Sequence, residues 1–258
     1  MVNNLHSYRL SCLSGTTDFV MQELMSKFPD VAITERNPSE ISLLSTQIDI
    51  EIFRSLHSPT HISNEDGKIL NLSRPTWRKG FVPAGINPSL AYIMCMIAEL
   101  SSENILYDPF CGSSIIPITA LKYYQIKRVI CSDISSRAIS QSEINFRSAG
   151  IEPIKYKMFR SDISRLKINK RNIDRILSNL PFGIREGNHQ GNIQAYLDLE
   201  KVAQRLLRKK GLLVLLTQEK QLIYETFDKS NWNIKSVASV NEGGLNPDIF
   251  LIKRSTTS

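Results

Sequence analysis

Cysteine and histidine are both scarce in this sequence, at four residues each. The cysteines (Cys12, Cys95, Cys111, Cys131) stand far apart, with no Cys-x-x-Cys pair and no histidine cluster beside them. That scatter argues against a zinc site and against a disulfide framework, so no metal is expected. Long apolar runs are missing too: the most hydrophobic stretches, 91–100 and 212–216, are too short to span a bilayer. Met1 to Cys12 lacks the basic start and apolar run of a signal peptide. The expectations are a reducing cytoplasm and no membrane. There is no low-complexity tract and no G-x-G-x-x-G pattern, which disfavours a nicotinamide cofactor and a hydride-transfer reading.

What is present is an ordinary balance of 41% hydrophobic and 22% charged residues, enough to bury a core. Cations exceed anions, 32 Lys+Arg to 25 Asp+Glu, for a formal charge of +7. Such an excess suits a polyanionic partner, because lysines and arginines that neutralise phosphates release counterions.

Periodicity divides the chain. Over residues 1–65 the strand-like stretches 8–13, 31–34 and 41–44 alternate with helical stretches 18–28 and 48–56, predicting a small α+β module; polar residues 63–68 read as a linker. Over 66–258 helical and strand patterns alternate, predicting an α/β doubly wound sheet. Strands are expected at 105–108, 128–133, 156–161 and 173–178. A helix with Tyr196 and Leu206 on its apolar face should stop at Gly211, before the buried run Leu212–Leu216. Another helix is expected at 218–229, with strands near 234–240 and 248–253.

In such a sheet ligands bind at the carboxyl ends of the strands. Four features fall there. Asp108-Pro109-Phe110-Cys111-Gly112-Ser113 leads from a strand into a helix: Asp108 suits an ammonium group, and Gly112 with exposed amides suits a carboxylate. Both ends match the methionine part of S-adenosylmethionine. Asp133, followed by Ile134, stands twenty-one residues after Gly112, the separation at which an acid meets ribose hydroxyls. Asp162, followed by Ile163, is placed to meet the adenine amine, or else simply caps a short turn. The fourth is Asn179-Leu180-Pro181-Phe182. An exocyclic base amine is a poor nucleophile, because its lone pair is delocalised into the ring. The Asn179 side-chain carbonyl and the Leu180 backbone carbonyl would each accept one amine hydrogen and free the lone pair. Pro181 stiffens the loop, and Phe182 offers a face to an unstacked base. Asn179 borders the donor site as well as the base.

These two motifs together, the second extended by Gly183, with the lead-in Arg78-Lys79-Gly80-Phe81-Val82-Pro83-Ala84-Gly85-Ile86-Asn87-Pro88-Ser89-Leu90-Ala91, resemble the THUMP-associated RNA methyltransferases of the UPF0020 type over roughly residues 70–254. The resemblance implies a Rossmann-like S-adenosylmethionine-dependent domain over 66–258, a ferredoxin-like module over 1–65, and methylation of guanine N2 in tRNA or ribosomal RNA. Ser114 stands where the family usually has glycine, which is tolerable if its dihedrals are negative. Leu180 replaces a frequent proline. The residues before the linker are too few for both the module and a full THUMP domain. RNA grip is then expected from basic residues: Arg74, Arg78 and Lys79; Lys155, Lys157, Arg160, Arg165, Lys167, Lys170 and Arg171; and Arg185 with His189. Arg205, Arg208, Lys209 and Lys210 read as the cationic close of a helix. The same loop chemistry would also serve adenine N6 in DNA or RNA, and a cofactor-free RNA-binding relative is the reading from another class.

Overall fold

Tyr8, Leu10, Ile41, Leu43 and Ile62 alternate with more exposed neighbours, and that period of two builds the first sheet. The computed structural model describes residues 5–83, 85–165, 168, 170–181, 189–241 and 244–255. Its contacts divide into two compact units: Met1–Pro75, Asn87–Ile93 and Val240–Asn246; and Thr76–Ile86, Met94–Ser239 and Pro247–Ser258.

The first unit runs β1 (His6–Ser11), α1 (Thr17–Lys27), β2 (Ala32–Asn37), β3 (Glu40–Ser45), a 3-10 turn (Ile50–Ser55), β4 (His61–Asn64) and β5 (Ile69–Asn71). The strands lie in the order β2-β3-β1-β4-β5, every pair antiparallel. The first four positions follow a ferredoxin-like order. Val20 and Leu24 of α1, with Phe53, close the core. The helix expected at 48–56 is only the 3-10 turn, capped by the Asp49 side chain and ended where Leu56 N donates to Phe53 O. The expected linker at 63–68 is instead the turn of the β4–β5 hairpin. Asn64 Oδ1 accepts from Lys68 N at 2.9 Å, and Gly67 takes φ +81°. Each of these strands buries one apolar side chain, Ile62 or Leu70, so no alternation was long enough to show.

Next come α2 (Pro88–Ile97), β6 (Ile105–Asp108), α3 (Ile115–Tyr124), β7 (Arg128–Asp133), α4 (Ser136–Ser148), β8 (Tyr156–Arg160) and β9 (Ile173–Asn179). The chain closes with α5 (His189–Leu206), β10 (Leu207–Thr217), α6 (Lys220–Thr226), β11 (Trp232–Ser239) and β12 (Asp248–Arg254). The sheet order is β11-β12-β10-β9-β6-β7-β8, with β8, β7, β6, β9 and β10 parallel and β12 antiparallel to both its neighbours. This is the doubly wound sheet read from the sequence. Chain order reverses between β6 and β9, the place where such sheets open a crevice. No helix among the described residues is long and apolar enough to cross a membrane.

Two boundaries differ from expectation. Gly211 does not end a helix: α5 stops at Leu206, and Gly211 lies in β10 beside a register shift between Leu207 and Leu212. A Cβ there would come within 2.8 Å of Leu207 Cδ2, 3.0 Å of Arg208 O and 3.1 Å of Asp174 O, so the strand packs closely around the glycine. Arg208, Lys209 and Lys210 consequently sit exposed on a strand, not at a helix end. Secondly, α6 covers seven residues rather than the twelve expected at 218–229.

Candidate active site

Parallel strands β6, β7, β8 and β9 end on one side of the sheet, and a cavity of about 480 Å³ opens there. That lies within the roughly 300–1,000 Å³ typical of small-molecule pockets. Its walls include Asp108 through Ser113, Asp133 and Ile134, Asp162 and Ile163, and Asn179 through Pro181. The four sequence features therefore meet in one cavity. Phe182, with Arg185 and Lys167, lies outside the described residues.

Asp108 ends β6 and is almost fully buried, 2% exposed. Its Oδ1 accepts from Ser178 Oγ at 2.6 Å and from Phe110 N at 3.2 Å. Burial raises its pKa to about 7, the two hydrogen bonds oppose that, and nearby Asp133 adds to it. Ser178 immediately precedes Asn179, so its hydroxyl ties the Asp108–Ser113 turn to the Asn179–Pro181 loop. Asp133 is held by two amides, Gly112 N at 3.0 Å and Ser135 N at 2.9 Å. Burial raises its pKa while those amides pull it down.

The amides of this turn are more occupied than expected. Cys111 N donates to Ser132 O, Gly112 N to Asp133, and Ser114 N to Cys111 O. Gly112 has φ +52°, and a Cβ built there would meet Val82 Cγ2 at an ordinary 3.4 Å. Conformation rather than space requires this glycine. Ser114 departs from the condition set for it: φ is +60° and ψ 35°, the left-handed region. Its buried hydroxyl bonds Ser142 Oγ at 2.8 Å, and Ser142 Oγ also donates to Gly112 O at 2.7 Å. A serine here thus keeps a glycine's backbone shape and gains a buried partner from α4.

Further walls come from Val82, Pro83, Gly85 and Ile86 of the lead-in and from Asn192, Gln194 and Asp198 of α5, which periodicity did not single out. The lead-in is clamped by α4. Asn145 Oδ1 accepts from Lys79 N and Gly80 N at 2.8 and 2.7 Å, and its Nδ2 donates to Gly80 O and Ser113 O at 3.0 and 2.9 Å. Gln141 Oε1 accepts from Phe81 N at 3.0 Å. A Cβ on Gly80 would lie 2.4 Å from Gln141 O, which no rotamer change can relieve.

Asp162 does cap the 3-10 turn Ile163–Arg165: its Oδ1 accepts from Ser164 N at 2.8 Å and Ser164 Oγ at 2.7 Å. Those bonds hold its pKa below the usual carboxylate range. It also lines the cavity, so capping and ligand contact are compatible. The Asn179 loop is anchored at two points. Leu180 N donates to Leu216 O at 2.9 Å while its side chain joins the core, and Tyr196 Oη donates to Pro181 O at 3.3 Å. Tyr196 is itself braced by Thr217 Oγ1 at 2.5 Å.

A model of the family UPF0020, described as RMKL-like, methyltransferase domain, matches residues 75–248. The tRNA (guanine(6)-N(2))-methyltransferase THUMP3 of Mus musculus is 25% identical over 227 residues, covering 81% of this chain and 44% of that protein. The chain thus spans less than half the length of this curated relative. Among solved structures, TrmN from Thermus thermophilus matches with a TM-score of 0.84 at 16% identity, covering 98% of this chain and 100% of that one. SMU.472, a putative methyltransferase complexed with SAH, matches at 0.77 and 13% identity, covering 98% and 99%. At these identities the structural likeness carries the fold alone.

Proposed function

The chain belongs to the UPF0020 family through its methyltransferase domain at residues 75–248, and from that premise we propose that it methylates the exocyclic N2 of a guanosine in RNA, tRNA foremost, with S-adenosylmethionine as donor. The observation that carries this reading is the single cavity bordered by both Asp108–Ser113 and Asn179–Pro181 and tied across by the Ser178–Asp108 bond. The guanine and the tRNA come from the mouse relative's name.

The residues fit the donor. Asp108 is a buried carboxyl facing the cavity without a bonded cation among the described residues, as an ammonium site requires. Ser113 Oγ, also a wall residue, is buried with no hydrogen-bond partner among the described residues, and suits the donor's carboxylate. Asp133 would hold ribose hydroxyls and Asp162 the adenine amine, between the apolar walls of Ile134 and Ile163. When bound, S-adenosylmethionine supplies an electrophilic methyl carbon. Asn179 Oδ1 and the Leu180 carbonyl accept the two N2 hydrogens and orient the nitrogen lone pair toward the donor side. The anchoring of Leu180 N and Pro181 O keeps both acceptors in place without reorganisation. The proton leaves after transfer, so no strong base is needed. Four free, buried cysteines accord with a reducing cytoplasm as the setting.

The test is incubation of the protein with total RNA and isotope-labelled donor, followed by nucleoside mass spectrometry. Labelled N2-methylguanosine in the tRNA fraction is expected. Label in N6-methyladenosine would overturn the base, and donor binding without label in any nucleoside would overturn the enzyme.

A further inference from the structure

We infer that the face of β8 opposite α4, with the exposed residues at the two ends of that strand, is the track on which the RNA strand reaches the cavity: Phe159 stacks an unpaired base, and Lys157 beside it, with Lys155 and Arg160 at the ends, meets phosphates. This rests on the reading that the substrate is RNA.

The face is identified by alternation. Tyr156 stacks on Phe146 of α4, ring centroids 4.1 Å apart and planes at 19°, which fixes the side of β8 that α4 covers. Met158, two residues on, shares that side, so Lys157 and Phe159 stand on the other, while Arg160 falls on the Tyr156 side at the exposed end of the strand. Lys157 and Phe159 are both exposed, Phe159 at 38%. Among the described residues the sheet ends at β8, and no strand pairs with its outer edge. Lys155, Lys157 and Arg160 are exposed as well, and none is ion-paired to a described residue.

The strand also points the right way. Lys157 pairs with Ile130, Phe159 with Ser132 and Arg160 with Asp133, so β8 runs toward the strand ends where the cavity opens. Ser161, the next residue, lines the cavity and donates from its amide to Asp133 O at 3.0 Å. Phe159 is therefore two residues, roughly 7 Å of strand, from the cavity wall. Ile134, exposed by 67%, adds an apolar lip at the mouth, and Arg160 Nε donates to Ile134 O at 3.4 Å. Cations flanking an exposed aromatic ring form the arrangement that holds a single strand: charge on the backbone, stacking on a base. Lysines also guard edge strands against pairing with another sheet. That role needs charge alone and leaves the exposed Phe159 between them unexplained.

Binding of a tRNA transcript should be measured by fluorescence anisotropy over a series of salt concentrations, with donor affinity measured by calorimetry on the same proteins. Phe159→Ala is expected to weaken RNA binding roughly tenfold. The triple variant Lys155→Ala, Lys157→Ala, Arg160→Ala should lower the slope of log affinity against log salt by about 2. Donor affinity should stay unchanged in both, and Lys209→Ala with Lys210→Ala, on an exposed segment of β10, should change RNA binding little. RNA binding unaltered by the β8 variants, or equally reduced by the β10 pair, would overturn the track. Equal losses of donor binding would mean that β8 is only structural. A wild-type protein that does not bind RNA at all would instead bring down the substrate reading on which the track depends.

Discussion

Asp108 and Asp162 are the same residue type, both at strand ends on one cavity, yet their surroundings push them in opposite directions. Asp108 is dehydrated at the centre of the sheet, and burial outweighs its two hydrogen bonds. Asp162 lies toward the sheet's edge, where two bonds from Ser164 outweigh a smaller burial. The cavity thus has a central corner that becomes anionic only near neutrality and an outer corner that is already anionic. Under the proposed function the central corner would meet the donor's ammonium, which rewards a charge that is costly to bury, and the outer corner the adenine amine, which needs only a standing acceptor.

Five changes break or sharpen this contrast. The largest effect should come from the residue beyond both corners. Asn179→Ala should slow single-turnover methyl transfer about 10²–10³-fold, the cost of losing one transition-state partner, with donor affinity little changed. Retained turnover would remove Asn179 from the chemistry. Asp108→Asn comes next, with donor binding weaker by roughly tenfold or more, measured by calorimetry at pH 8. Its pH dependence follows from the raised pKa. The carboxyl ionises as pH rises through about 7, so wild-type donor affinity should climb between about pH 6 and pH 8, and Asp108→Asn should flatten that climb. Stability of the donor-free protein runs the other way. The contribution of Asp108 is fully present below its unfolded value of 3.8 and is lost as pH rises through about 7.

Asp162→Ala should weaken donor binding only several-fold, a loss of about 1 kcal/mol, with no added pH dependence between about pH 6 and pH 8, since this group is ionised throughout. A pH profile like that of Asp108 would erase the distinction. The smallest effect belongs to the turn beneath the central corner. Ser114→Gly relieves a left-handed backbone but loses the Ser142 bond, two terms of about 1 kcal/mol each, so denaturant unfolding should change little. Ser142→Ala should then cost about 1 kcal/mol more in the wild type than in the Ser114→Gly background.

Much of this site was legible because strand ends are legible. The runs around Leu106, Val129 and Ile176 are apolar and short, so Asp108, Asp133 and Asn179 could be placed at their exits. The doubly wound order then brings them together. Asp162 was left between cap and contact, and its Ser164 bonds establish the first while its place in the cavity wall allows the second. Other features depend on partners distant in sequence. Ser178 adjoins the loop motif, but its bond to Asp108 spans 70 residues. Asn145 reads as an ordinary polar position on α4 until Lys79 and Gly80, more than 60 residues earlier, are packed against it. Gly211 misled because a glycine after an apolar helix resembles a stop; only the folded sheet shows how closely Leu207, Arg208 and Asp174 crowd it. The hairpin at 61–71 was hidden by its brevity, and the left-handed Ser114 by its residue type, which rarely adopts that shape.

The Asn145 clamp also has a kinetic meaning. Lys79 and Gly80 belong to no helix or strand, and loop amides ordinarily exchange their hydrogens with solvent quickly. Here both amides are bonded to Asn145, which is itself wholly buried. Their exchange should be as slow as that of neighbouring sheet amides, and it should quicken only when the lead-in lifts from α4. Two loop amides thus become a clock for the opening of the cavity wall, readable in deuterated solvent without any ligand or label.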